Sequence, residues 1–273
     1  MRWAYIIKDD KQINLSEKGC NFLESEITEV DTKTKEQEMA GMDGVLVGSN
    51  TFGSFALTLK FYYEGIDKSD LLLFTEKMKT IIHNRTPMYV VHSDFPGRKY
   101  AFNSAKIEDF EAVTNSDATF SITFNCYKGY SESLKDTSDI TILSDYWQFE
   151  DGIIAEYIRY TFTTKGMSVW NGSQDVIDPL MGHNLRIRVK GATSNGFTII
   201  NRNNGTTFEY NGSLSSSQTL EINGVHPTVG KNRVGYLTNY DWIKLEPGFN
   251  NIEIISNDIK IDYIDYRFNF IYR

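Results

Sequence analysis

Residues 53–100 constrain this chain more than any other stretch, because they read as strand, helix, strand, turn and strand in immediate succession. Phe55, Leu57, Leu59, Phe61 and Tyr63 alternate with Ala56, Thr58, Lys60 and Tyr62, the period of a strand with one buried face. Asp67, Ser69 and Asp70 supply cap chemistry and negative charge for a helix start. Leu71, Phe74, Met78, Ile81 and Ile82 then recur at spacings of three and four, which predicts a helix over about residues 68–84. The run Asn84-Arg85-Thr86-Pro87 stops it, since the residue before a proline avoids the α region. Met88–His92 reads as a short apolar strand and Asp94-Phe95-Pro96-Gly97-Arg98 as a turn, after which Lys99–Ile107 resumes as a strand. One amphipathic helix among strands needs a sheet to cover its apolar face.

The rest of the first half supplies that sheet. Tyr5-Ile6-Ile7 predicts a first strand, and Ala118, Phe120, Ile122, Phe124 and Cys126 alternate with polar partners in the clearest strand of this half. Between them, Glu24–Glu38 is rich in Glu, Thr and Lys and reads as an exposed strand or loop. Gly41-Met42-Asp43-Gly44 is a tight turn, Val45-Leu46-Val47 starts the next strand, and Glu108–Asp117 is turn-like. The polar run Ser131–Asp139 is the best linker, which divides the chain into residues 1–139 and 140–273.

The second half has no helical periodicity. It carries five Asn-Gly pairs, at Asn171, Asn195, Asn204, Asn211 and Asn223, the strongest short hairpin signal. Between them lie short strands: Leu185–Lys190, Phe197–Ile200, Thr207–Tyr210, Leu220–Ile222, Trp242–Leu245, Asn251–Ile255, Ile259–Tyr263 and a final run from Tyr266 to Tyr272. Glu246–Asn250 reads as a turn. Many short strands at regular spacing indicate an antiparallel β-sandwich. The predicted class is mainly β, an α+β first domain with one helix on a β-sandwich followed by a second β-sandwich.

With 273 residues, 40% of them hydrophobic, the chain can build two cores. A net charge of −8 argues against a nucleic-acid-binding or anionic-membrane surface, which needs clustered Lys and Arg. Two cysteines, Cys20 and Cys126, make no disulfide framework, and Cys126 sits on the apolar face of its strand. Met1–Lys8 turns polar too quickly for a signal peptide and no apolar run reaches membrane-span length, so synthesis in a cytoplasm is expected.

Catalytic motifs are missing. His83, His92, His183 and His226 are scattered without zinc spacing, and there is no nucleophile elbow, P-loop or dinucleotide fingerprint. No catalytic residue, metal ligand or cofactor-binding residue is expected. Trp170, Tyr236, Tyr240 and Trp242, with His183, Asn184 and Arg186 nearby, are residue types that stack on sugars or hydrogen-bond them. They are the candidates for ligand or partner contact, against the alternative that Trp170 and Trp242 are core aromatics.

Taken together these residues resemble the distal tail protein (Dit) family of long, non-contractile-tailed bacteriophages. The resemblance is carried by Gly41-Met42-Asp43-Gly44, by the strand Phe52–Tyr63, by the helix Asp67–Asn84 and by the turn Asp94–Tyr100 with its Pro-Gly-Arg-x-Tyr pattern. The second half resembles that family's galectin-like sandwich through Trp242-Ile243-Lys244-Leu245-Glu246-Pro247-Gly248-Phe249-Asn250, while His183-Asn184-Leu185-Arg186 lacks the spacing of a galectin sugar site. The resemblance implies a non-enzymatic virion protein of the tail tip or baseplate: a homo-hexameric ring, single or stacked, made by the first domain, with the sandwich as a docking module. It implies as partners the tail tube and tape measure proteins, the tail-associated lysin or tip hub, and receptor-binding or other baseplate proteins. No membrane partner is implied, and DNA passes through the lumen unbound. The alternatives are a carbohydrate-binding adhesin recognising host cell-wall glycan through its sandwich, and a tail-tube subunit.

Overall fold

The computed structural model describes residues 2–41, 43–139, 146, 147, 151–156 and 158–273. Met42 of the glycine turn and Ile140, where the second domain is expected to begin, lie outside the described residues. The chain divides into two compact units, Met1–Glu132 together with Arg273, and Ser133–Tyr272.

The first unit runs β1 (Ala4–Lys8), β2 (Lys11–Asn14), β3 (Asn21–Ile27), β4 (Thr32–Lys33), β5 (Glu36–Glu38), β6 (Val45–Val47), β7 (Thr51–Phe52), β8 (Phe55–Tyr63), α1 (Lys68–Ile82), β9 (Met88–His92), β10 (Arg98–Ala112) and β11 (Ala118–Cys126). Its main sheet has the order β2-β1-β9-β10-β11-β8-β3. The alternation read in β8 is realised in full, since every second residue from Phe55 to Tyr63 is buried. All nine residues of β8 pair with β11, from Phe55 opposite Cys126 to Tyr63 opposite Ala118. The expected sandwich is made by one sheet whose ends curl towards each other. Phe22 of edge strand β3 lies 5.8 Å from the His92 ring of β9, and the Ser25 hydroxyl donates to Asp94 at 2.7 Å.

The helix starts where its cap predicts. Asp67 is extended, and its carboxylate accepts from the Asp70 N–H at 2.8 Å. Asp70 in turn accepts from the Tyr63 hydroxyl at 2.8 Å and the Ile66 N–H at 3.1 Å, which fastens the helix start to the end of β8. The helix ends at Ile82, two residues before Asn84. It buries Leu71, Phe74, Met78 and Ile82. Phe74 stacks on Tyr63 at 3.8 Å and meets Phe120 edge-on at 5.5 Å, so the helix closes the open face of the sheet.

Two sequence readings are corrected here. The turn-like reading of residues 108–117 fails over Glu108–Ala112, where β10 continues beside β11 through a register shift between Glu108 and Glu111, with Asp109 at φ 50°. The linker reading of the polar run 131–139 also fails. Ser131, Glu132, Ser133 and Thr137 are buried, and Ser131–Ser133 forms a short strand, β12. Most of these buried polar groups are bonded. Glu132 accepts from Lys128 at 2.7 Å, the Ser133 hydroxyl donates to the Lys135 carbonyl at 2.7 Å, and the Thr137 hydroxyl donates to the Tyr266 carbonyl at 2.9 Å.

A hairpin that sequence reading did not single out joins β1 and β2. Its two turn residues, Asp9 and Asp10, both have positive φ (47° and 61°) and lie between the paired Lys8 and Lys11. This is the backbone of a type I′ turn, which Asn-Gly fits best. The double variant Asp9→Asn/Asp10→Gly should therefore raise stability by about 1 kcal/mol, read as a higher thermal midpoint.

The second unit contains β13 (Thr161–Phe162), β14 (Gly166–Asn171), β15 (Leu185–Ala192), β16 (Phe197–Asn201), β17 (Thr207–Tyr210), β18 (Thr219–Asn223), β19 (His226–Val229), β20 (Asn232–Arg233), β21 (Gly248–Ile255), β22 (Lys260–Phe268) and β23 (Ile271–Tyr272). A six-stranded sheet, β13-β22-β15-β18-β19-β20, and a four-stranded sheet, β14-β21-β16-β17, form an antiparallel sandwich. Among the described residues it holds no α-helix, only 3-10 turns. Leu185, Ile187 and Val189 of β15 point into the core, with Arg186, Arg188 and Lys190 on the outer face.

The Asn-Gly pairs divide by use. Gly205 turns β16 into β17, and Gly224 turns β18 into β19, both with positive φ. Asn195-Gly196 instead connects β15 and β16, which belong to different sheets, and a Cβ on Gly196 would sit 1.9 Å from the Tyr210 carbonyl oxygen. Gly172 and Gly212 lack positive φ and make no such turn. Trp242–Leu245 is not a strand; only Leu245 pairs, in a bridge to Ile177, and β21 already begins at Gly248.

Candidate functional site

Between β3 and β8 the first unit sends out one long hairpin. Thr32 and Lys33 pair with Phe52 and Thr51, and further out Glu36, Gln37 and Glu38 pair with Val47, Leu46 and Val45. Single bonds close the base of the arm and the rungs between the two ladders. The Gly53 N–H donates to Asp31 at 2.6 Å, the Gly48 N–H to Lys35 at 2.7 Å and the Thr34 hydroxyl to Asn50 at 2.9 Å. Gly41 and Gly44, at φ 88° and 84°, flank the tip. Residues 24–38, expected as an exposed strand or loop, thus resolve into the end of β3 and the outgoing half of this arm.

Every residue in the four arm strands is exposed. Val45, Leu46 and Val47 keep 42%, 46% and 64% of their surface in water, and Phe52 keeps 40%. A two-stranded ladder is marginal in water by itself. Consecutive apolar residues on an unpaired edge are a template for pairing with another chain. The arm is thus a strand pair with backbone donors, acceptors and apolar side chains free for a partner. A second exposed apolar patch lies at the start of α1, where Ile66, Leu72 and Leu73 face outward while Leu71 and Phe74 face the core.

The four aromatic candidates do not form one site. Trp170 on β14 pairs across the sheet with Phe249, at 4.8 Å between rings, and its indole N–H donates to the Gly152 carbonyl at 2.8 Å. Tyr236 and Tyr240 are exposed on the segment that reaches β17 through the Tyr210–Thr238 bridge. β14 and β17 are opposite edges of the four-stranded sheet, so Trp170 stands apart from the two tyrosines. Trp242 is half-buried, 5.9 Å from Phe208. The neighbouring polar residues serve the fold: buried His183 accepts the Asp178 N–H at 3.0 Å, and Asn184 donates to Asn269 at 3.0 Å.

Cys20 and Cys126 are buried free thiols, and burial pushes both up to about 12, so neither is a nucleophile at neutral pH. Among the described residues no group of three or more His, Cys, Asp and Glu side chains could hold a metal ion.

Residues 8–126 match the family described as the phage tail protein RIFT-related domain. The fold matches the crystal structure of the SPP1 Dit (gp 19.1) protein, described as a paradigm of hub adsorption apparatus in phages infecting Gram-positive bacteria. That match covers 98% of this chain and 99% of the other, with TM-score 0.66 and 15% identity. A chain of the phage P2 baseplate in its activated, calcium-bound conformation aligns over 99% of this chain and 98% of its own, with TM-score 0.49 and 10% identity. No curated protein sequence matches.

Proposed function

We propose that this chain is a structural distal tail protein of a long-tailed, non-contractile phage: a hub of the tail tip whose first unit assembles into a ring of six copies. The observation that carries the reading is the exposed arm. It adds no residue to its own core and offers apolar, unpaired strand edges, as a chain built to be completed by a neighbour would. The tail-protein family match falls on the unit that bears the arm, and the whole-chain fold resembles that of a hub protein, which supports the same reading. The ring joins the tube and tape measure proteins to the tail-associated lysin or tip hub, and the sandwich docks further baseplate components. A net charge of −8 suits a lumen that DNA passes without adhering. The role is one of assembly and needs no catalytic step.

Val45→Asp/Val47→Asp tests the reading directly. Both residues lie outside the core, so the units should still fold, while the added charges oppose a covered edge. Light scattering should find the wild type as a ring and the variant near the 31.3 kDa of one chain. A variant that keeps the wild-type mass would refute assembly through the arm, and open-ended wild-type polymers would favour a tube subunit.

A further inference from the structure

The outer face of the six-stranded sheet carries a polar groove that the assembly role does not use. β15 places Arg186, Arg188 and Lys190 on that face, in a chain whose net charge is negative. The rungs continue outward from them. Arg188 is opposite Glu221, which is opposite Thr228, and Lys190 is opposite Thr219. Thr219, Glu221 and Thr228, with Gln218, Lys231 and Asn232, line an open groove of about 560 Å³. Its size is that of a ligand site, and its lining is hydroxyl, amide and charged.

The cations on this face are not equivalent. Buried Asp265 accepts from Arg188 Nε at 3.0 Å and from Arg267 Nε at 2.8 Å, so these two are already paired. Lys190 and Lys231, like Arg186 and Arg233, have no hydrogen-bond or ion-pair partner among the described residues. Lys231 lines the groove and Lys190 stands opposite its Thr219, both uncommitted point charges, the form in which lysine meets phosphate.

We infer that this groove binds an anionic, hydroxyl-rich chain, a polyol- or sugar-phosphate polymer. A neutral sugar would be expected to find an aromatic platform, and no aromatic residue lines the groove. A single-stranded nucleic acid would need stacking rings, and the groove offers none. Spaced phosphates separated by hydroxyls match spaced lysines separated by Thr, Gln and Asn side chains.

The test titrates the full-length chain with poly(glycerol phosphate), with dextran and with single-stranded DNA. The polymer of glycerol phosphate should bind, and Lys190→Glu/Lys231→Glu should weaken it about tenfold or more, as should raised salt. Thermal unfolding of the variant should match the wild type, since neither lysine makes a structural contact. Absence of binding, binding that the double reversal leaves unchanged, or equal binding of dextran or of DNA would overturn the inference. The mass of the same variant, measured in parallel, keeps this outcome separate from that of ring assembly.

Discussion

Phe120→Ala should cost the first unit about 4 kcal/mol, because it removes the ring on which sheet and helix meet. Phe120 is 1% exposed. It stacks on Phe61 at 5.6 Å within the sheet and meets Phe74 of α1 at 5.5 Å. The cavity cannot close easily, since β11 is paired along its whole length with β8 on one side and, on either side of the bulge at Phe120, with β10 on the other. Against a total stability of roughly 5–15 kcal/mol, such a loss brings a unit near unfolding. Hydrogen exchange reads the two units separately. Amides of β8 and β11 should lose protection in the variant, while β15 and β22 of the second unit keep theirs. Unchanged protection in β8 and β11 would contradict this account of the core.

Acid should destabilise the first unit through one buried histidine. The His92 side chain is inaccessible to water, and neither ring nitrogen has a partner. Phe22, Phe95 and Tyr100 surround it at 5.8, 5.8 and 5.5 Å. Burial pushes its pKa down from 6.5 to about 4, with Asp94 opposing only in part. Between pH 6.5 and 4 the unfolded chain therefore binds a proton that the folded chain refuses, and stability falls as pH falls. Above 6.5 both states are neutral, and below about 4 both are charged, so the loss is complete there. Its size follows from the shift, about 3 kcal/mol. His92→Leu should remove this component, leaving a flatter stability profile between pH 6.5 and 4 than the wild type. Parallel profiles for the two proteins would show that His92 is not the acid-sensitive group.

What the sequence discloses follows from what its residues bury. β8, β11 and α1 are legible because one face of each is in a core, which writes a period of two or of three to four into the chain, and β9 because it is buried nearly throughout and reads as a short apolar run. The arm was not legible as a hairpin, since its strands bury nothing and so carry no alternation. The end of β10 is illegible for the same reason, with Glu108 and Glu111 exposed on a strand that only its partner reveals. Trp242–Leu245 has strand composition but lies outside either ladder apart from Leu245. The aromatic candidates share only residue type and proximity in sequence. Sheet order then separated Trp170 from Tyr236 and Tyr240, which no local pattern encodes. The polar groove is assembled from ordinary surface residues, and only the pairing of β15, β18 and β19 makes it a place.

The central claim is that this chain closes into a ring, and the solution mass of the purified full-length protein tests it most directly. Light scattering after size exclusion should give a discrete species near 188 kDa, six copies of a 31.3 kDa chain, or twice that for two stacked rings. A species that stays at 31.3 kDa at every concentration would contradict it.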